Sequence, residues 1–221
     1  MAEPARTLAG PLPGAAPRPA VPVLPALRTV VPGGLRPGSL VGVAGHGSGS
    51  LGLALVAGVS RHGGPDRAGG WCAVVGLPEF GVVAAAGMGA APERLLLVDD
   101  PGDRWADVVA ALTEAVDLVL LRPPERPGAA AARRLAALAR RHGCVLALAG
   151  PHAAAWPGVR LRLRVAESRW EGLGAGHGVL RARRARVTAE GRGGGAWLWL
   201  PGPAGEVAPA DGGRPRLEVV A

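Results

Sequence analysis

The fold of this chain is decided by the stretch Val41-Gly42-Val43-Ala44-Gly45-His46-Gly47-Ser48-Gly49-Ser50-Leu51-Gly52. The apolar run at residues 40–44 predicts a short buried strand, and the apolar segment at residues 51–60 predicts a helix. The glycines and serines between them predict a loop. A strand, a glycine-rich loop and a helix in this order form the architecture of a phosphate-binding loop.

The loop lacks the charged group that this architecture uses. A phosphate-binding loop carries a lysine after its last glycine, where the ammonium reaches the β- and γ-phosphates. The chain contains no lysine, and Ser50 or Leu51 stands at that position, depending on the register. We therefore expect a remnant loop that binds no cofactor, with weak ATP binding through backbone amides as the alternative. The residues of this remnant loop are Gly45, Gly47, Ser48, Gly49, Ser50 and Gly52.

The positive charge is concentrated in the second half of the chain. The 221 residues suffice for one α/β domain with tails, and the net charge is +8. Residues 1–121 carry 8 arginines against 10 acids, whereas residues 122–221 carry 17 arginines against 7 acids. This imbalance indicates an anionic partner, either nucleic acid or an acidic protein surface. The alternative is an arginine surface that reflects codon usage and only contacts solvent.

Catalytic and metal-binding patterns are not found in the sequence. Cys72 and Cys144 lie in apolar runs and are expected to be buried thiols in a reducing cytoplasm. The five histidines lack the spacing of metal ligands, and no nucleophile–base pair is recognisable. No secretory leader and no run of about 18 apolar residues is found. We expect no catalytic residue, no metal site and no membrane association.

Strands and helices alternate up to about residue 149. Strands are predicted at 40–44, 71–75, 95–98, 118–121 and 144–149, and helices at 51–60, 80–90, 104–115 and 128–142. Short connections between such elements predict a mostly parallel sheet flanked by helices.

The pattern changes in the second half. Residues 159–165 alternate apolar side chains with arginines, which predicts a half-exposed strand of an antiparallel extension. Further strands are predicted at 179–188 and 196–200, with a loop at 168–178. Two arginine clusters are candidates for binding DNA phosphates or an acidic partner, or for no specific contact: Arg160, Arg162 and Arg164, and Arg181, Arg183, Arg184 and Arg186. The expected organisation is a disordered Pro/Ala-rich tail at 1–22, one domain at 23–202 and a loose tail at 203–221.

The order of these elements resembles the RecA ATPase core. The run Gly33-Gly34-Leu35-Arg36-Pro37-Gly38-Ser39 resembles the segment that leads into its phosphate loop, and 116–121 resembles its Walker B strand. The strands after 159 take the place of its C-terminal sheet extension. More closely, residues 23–28, 71–78 and 168–174 resemble ImuA-type proteins of actinobacteria. The resemblance covers about residues 21–202.

The ImuA-type family consists of RecA-like accessory proteins of a mutagenesis cassette that DNA damage induces. The resemblance implies a role in translesion synthesis during the SOS response. It implies an inactive Y-family polymerase homologue and an error-prone polymerase as partners, with RecA as a further partner. It also implies a cytoplasmic, nucleoid-associated location.

Departures from the RecA pattern favour a non-catalytic protein. Arg122 stands where the Walker B acid should end its strand, and Asp117 is at the other end of the strand, about 15 Å away. The position of the catalytic glutamate holds Pro78, with Glu79 one residue later. Residues 149–151, Ala-Gly-Pro, replace the polar relay after the last parallel strand. We therefore expect a non-enzymatic adaptor, with an unusual NTPase or a DNA-binding module as the alternatives.

Overall fold

In the part of the chain that the structure describes, nine strands form one continuous sheet and four α-helices pack on its faces. The computed structural model describes residues 18–62, 69–173, 177–190 and 194–211. The strands are β1 Leu40–Gly45, β2 Cys72–Val75, β3 Leu95–Val98, β4 Leu118–Leu121, β5 Val145–Leu148, β6 Leu161–Leu173, β7 Gly178–Glu190, β8 Gly195–Trp199 and β9 Ala208–Pro209. The helices are α1 Gly49–Arg61, α2 Val82–Gly87, α3 Trp105–Ala115 and α4 Ala129–His142.

The sheet has the order β3-β2-β4-β5-β1-β6-β7-β8-β9. The first six strands in this order run parallel, and β7, β8 and β9 continue the sheet antiparallel. β2, β4 and β5 are buried along their whole length, as continuous apolar runs require when helices cover both faces. The predicted α/β class, mostly parallel sheet and antiparallel extension are confirmed.

Each face of the sheet has its own hydrophobic core. One core packs α1, α2 and the N-terminal segment around Leu27 against the inner face of β6 and β7. The other packs α3 and α4 against the opposite face. There the rings of Trp105 and Trp156 pack edge to face, with their centres 6.2 Å apart. Among the described residues, no helix has the length and apolar character needed to cross a bilayer.

The strand register brings the functional positions to one edge of the sheet. β2, β4 and β5 are paired in step, so Gly76, Arg122 and Ala149 follow them at the same level. β1 continues past this level to Gly45, where the glycine loop begins. Asp117 lies at the opposite edge, where its Oδ2 accepts a hydrogen bond of 3.0 Å from the backbone N–H of Trp71. The prediction that Asp117 and Arg122 lie at opposite ends of the strand is confirmed.

The largest differences from the predicted boundaries lie in the β6–β7 hairpin and at the two tails. The loop predicted at 168–178 is wrong for residues 168–173, because β6 continues to Leu173 beside β7. Register shifts after Val165 and Glu171 interrupt the alternation that a regular strand would show. Residues 174–176 lie outside the described part of the chain.

Both tails are shorter than expected. Val21 and Leu35 exchange two backbone hydrogen bonds of 2.8 Å, so residues 18–22 are attached to the domain. At the other end, β9 pairs with β8, and Ala210 donates to the Trp197 carbonyl at 2.8 Å, so residues 203–211 are not a loose tail. The remaining parts of the predicted tails, 1–17 and 212–221, lie outside the described residues.

Candidate functional site

The glycine loop connects β1 to α1 through residues 46–48. Gly45 and Gly47 have φ angles of 97° and 70°, a backbone region that side chains other than glycine disfavour. A Cβ atom at Gly45 would also lie 2.3 Å from the Val165 carbonyl oxygen on β6. The glycines are therefore required by the turn and by its contact with the neighbouring strand. The predicted order of strand, glycine loop and helix is confirmed.

Arg183 of β7 fills the side of this loop that faces the sheet extension. Its guanidinium donates to the carbonyl oxygens of Gly47 at 2.8 Å and His46 at 2.9 Å, and approaches Ser50 Oγ at 3.4 Å. The same group lies 5.8 Å from the ring centre of Trp170. The residue is only 2% exposed, and this burial lowers the pKa of the Arg183 guanidinium.

The contact with Arg183 corrects one sequence-based expectation. Arg183 was grouped with Arg181, Arg184 and Arg186 as a surface cluster for DNA or a partner. Side chains alternate along β7, and Arg183 is on the face that packs toward α1. The Arg183 side chain is therefore buried against the glycine loop and is not part of the exposed surface.

The contact with Arg183 uses backbone acceptors of the loop, not the backbone donors that bind a phosphate. A phosphate-binding loop uses backbone N–H groups, which carry partial positive charge. Here two carbonyl oxygens at the loop tip are held by the guanidinium of the same chain. The loop is consequently stabilised without a ligand.

Arg122 and Glu79 form an ion pair at the ends of β4 and β2. Two guanidinium nitrogens of Arg122 contact the two carboxylate oxygens of Glu79, one pair at 2.8 Å. Arg122 Nε also donates to the Gly76 carbonyl at 2.8 Å. Hydrogen bonding from Arg122 lowers the pKa of the Glu79 carboxyl. Arg122, at the position of the Walker B acid, is therefore paired with the glutamate that follows the catalytic position by one residue.

Apolar side chains line the space between the loop and this ion pair. A small cavity of about 70 Å³ is enclosed by parts of α1, β4 and the segment after β2, including Leu53, Leu77, Phe80 and Leu120. A second, more open cavity of about 270 Å³ lies on the other side of the loop, beside Ser50, Trp170 and Arg183. Typical ligand pockets measure roughly 300–1,000 Å³. Within the described residues, no group of three histidine, cysteine or acidic side chains could hold a metal ion.

Three of the seven arginines predicted as a basic surface form ion pairs with glutamates. Ion pairs join Arg162 to Glu190 at 3.7 Å, Arg184 to Glu171 at 2.7 Å and Arg186 to Glu167 at 3.1 Å. Arg184 also lies 5.5 Å from the ring centre of Trp199. The sequence does not indicate these pairs, because they depend on the register of the β6–β7 hairpin, of which residues 168–178 are predicted as a loop. Three of the predicted arginines are exposed and have no ion pair with a described acid: Arg160, Arg164 and Arg181.

We expect the Arg122–Glu79 pair to make stability weakly dependent on acid pH. The folded-state pKa of Glu79 is below its unfolded value, so its contribution is present above that unfolded value and is lost as the pH falls through the folded pKa. Because both side chains are partly exposed, solvent screening limits the effect to roughly 0.5 kcal/mol.

The measurement compares chemical denaturation of the parent chain and Glu79→Gln between about pH 7 and pH 3. The difference in unfolding free energy should shrink toward the acidic end. A difference that stays constant over this range would contradict the assignment.

A solved structure identifies the fold class. The chain is similar to the crystal structure of the RadB recombinase, with a TM-score of 0.57 and 15% sequence identity over 85% of this chain and 97% of that one. At this identity the similarity shows the fold alone. Together with the sheet order, it establishes a RecA-like fold.

A family model and a relative identify the protein family within this fold class. Residues 29–158 match the MT3502 N-terminal domain model, so the chain belongs to that family. A relative from Mycobacterium tuberculosis (strain ATCC 25618 / H37Rv), "Uncharacterized protein Rv3395c", is 41% identical over 138 residues. That alignment covers 61% of this chain and 62% of the relative.

Proposed function

We propose that this protein is a non-catalytic accessory protein of DNA recombination and repair, with a RecA fold that now serves to bind partners. Its specific role would be that of an adaptor in damage-induced mutagenesis. There it would join an inactive Y-family polymerase homologue and an error-prone polymerase, with RecA as a further partner.

The observation that carries this proposal is that two arginines of the chain occupy polar groups of the glycine loop and of the adjacent strand ends. Arg183 holds the loop carbonyls, and Arg122 is paired with Glu79, one residue after the position of the catalytic glutamate. A guanidinium at position 122 repels the magnesium ion that phosphoryl transfer uses. The fold similarity to a recombinase supports the broad class, and the resemblance at 23–28, 71–78 and 168–174 supports the specific role.

We expect the purified full chain to show no ATP turnover above background. The lysine and the metal-binding carboxylate are both missing, and these groups stabilise the charge that develops during phosphoryl transfer. The measurement is phosphate release with magnesium, together with equilibrium binding of a fluorescent ATP analogue. The matched control is a chain with Gly49→Val and Ser50→Ala, since a Cβ atom at Gly49 meets no atom within 4 Å.

Turnover by the parent chain that disappears in this loop variant would contradict the proposal and favour an NTPase with an unusual site. The adaptor role is tested separately by affinity capture of the tagged full chain from DNA-damaged cells. Recovery of a polymerase component or of RecA is the expected result. Capture of neither would count against the adaptor role, whatever the ATPase measurement shows.

A further inference from the structure

An arginine-lined cavity lies at the sheet edge opposite the glycine loop. Its volume is about 360 Å³, and its walls come from the turn before β1, the last turn of α4 and the residues before β6. β1 separates it from the loop by six residues, or about 20 Å of strand. It is therefore spatially distinct from the nucleotide edge described above.

Close packing of the backbone gathers three arginines around this cavity. Gly38 has a φ angle of 72°, and a Cβ atom there would lie 2.7 Å from the Cα atom of Arg140. The turn that carries Arg36 is thus pressed against the end of α4. β6 pairs in parallel with β1, with Leu161 opposite Val41, which brings Arg160 to the same edge. Ser39 supplies a hydroxyl group to the lining.

The cavity carries a concentrated positive charge. No acidic residue lines it, and none of its three arginines forms an ion pair with a described carboxylate. This contrasts with the arginines of β6 and β7 that have glutamate partners. The helix dipole of α4 explains a cation at Arg140, which lies near the C-terminal end of the helix. It does not explain why arginines stand at positions 36 and 160.

We propose that Arg36, Arg140 and Arg160 form a binding site for phosphoryl groups. Guanidinium groups match the geometry of phosphate oxygens and bind them in pairs of hydrogen bonds. Arg164 continues the same face of β6 beyond the cavity, so a phosphate-bearing strand could contact arginines along the sheet. This site goes beyond the proposed function, because an adaptor needs no phosphate ligand.

The phosphoryl group has two sources that one experiment separates. The full chain is titrated into a fluorescently labelled single-stranded oligonucleotide at several salt concentrations, and inorganic phosphate binding is measured by calorimetry. The test variant combines Arg36→Gln, Arg140→Gln and Arg160→Gln. The control combines Arg28→Gln, Arg126→Gln and Arg133→Gln, three exposed arginines outside the cavity that remove the same charge.

For a nucleic-acid ligand, we expect about tenfold weaker oligonucleotide binding by the test variant and a salt dependence reduced by about 2 in slope. The control should retain affinity within about twofold. Binding of inorganic phosphate alone, with the same arginine dependence, would support the site and assign it to a small phosphorylated ligand. Circular dichroism of all variants separates loss of binding from loss of folding. The single variant Arg160→Gln is measured in the same way as a milder change.

Two results would overturn the proposal. One is an equal loss of affinity in the test and control variants, since this would indicate unspecific attraction to net charge. The other is the absence of binding to both the oligonucleotide and inorganic phosphate at low salt. Neither result bears on ATP turnover or on capture of protein partners.

Discussion

Arg183→Met is expected to lower the free energy of unfolding by about 2 kcal/mol and to release the glycine loop. The variant loses two hydrogen bonds from a charged group to the carbonyl oxygens of His46 and Gly47. Each such bond contributes roughly 1.5–3 kcal/mol. Methionine keeps much of the packing against Trp170 and removes the cost of burying a charge, so the net loss is smaller than the sum of the bonds.

Hydrogen exchange gives the local readout of this prediction. The amides of Ser48 and Gly52 are hydrogen-bonded within the loop and the first turn of α1, to Gly45 and Ser48 respectively. Their exchange should accelerate by at least about tenfold in Arg183→Met, because the free energy of local opening falls by more than about 1.4 kcal/mol. The exchange rates of amides in β4 and β5 should change only as much as the global free energy of unfolding requires.

The matched control is Arg181→Met, on the same strand and the same face but exposed. Surface substitutions of this kind usually change stability by less than about 0.5 kcal/mol. If Arg183→Met and Arg181→Met had the same effect on loop exchange, Arg183 would not be holding the loop.

The parallel half of the fold was predictable because its signals are local. Buried parallel strands appear as continuous apolar runs, and short connections between strands and helices leave few topologies. β3 and β4 were predicted with the bounds that the structure has, and α3 and α4 to within one residue at each end. In the antiparallel half, the shifts near residues 166 and 172 break the period of two, so the sequence indicated a loop.

The candidate site was only half predictable for a related reason. The sequence indicated that lysine and the Walker B acid are missing, because their places are defined relative to local motifs. It could not indicate that Arg183 contacts residues 46 and 47, since this contact joins positions more than 130 residues apart. The pairing of Arg122 with Glu79 likewise follows from the level at which β2 and β4 end.

Two internal contacts stabilise the chain where the parallel strands end. Backbone carbonyl groups that are shielded from water need hydrogen-bond partners. Arg183 supplies partners for the loop carbonyls, and Arg122 satisfies both Glu79 and the carbonyl of Gly76. The fold is therefore stabilised at these strand ends by its own side chains.

Gly58→Ala is expected to destabilise the protein by about 3 kcal/mol, although alanine is the better helix former. Gly58 lies in α1 where the N-terminal segment crosses the helix. A Cβ atom there would lie 2.7 Å from the backbone nitrogen of Leu24 and 2.8 Å from Cα of Val23. Backbone atoms cannot move aside as a flexible side chain can, so the segment must separate from the helix.

Gly49→Ala in the first turn of the same helix is the matched control. No atom lies within 4 Å of a Cβ placed at Gly49. The control should therefore be neutral or gain up to about 1 kcal/mol from helix propensity. Both variants are compared with the parent chain by denaturant unfolding. Because Val23 and Leu24 are buried against α1, Gly58→Ala should also expose the N-terminal segment to limited proteolysis. If Gly58→Ala were as stable as Gly49→Ala, this segment would not pack on α1, and the domain would begin later than residue 23.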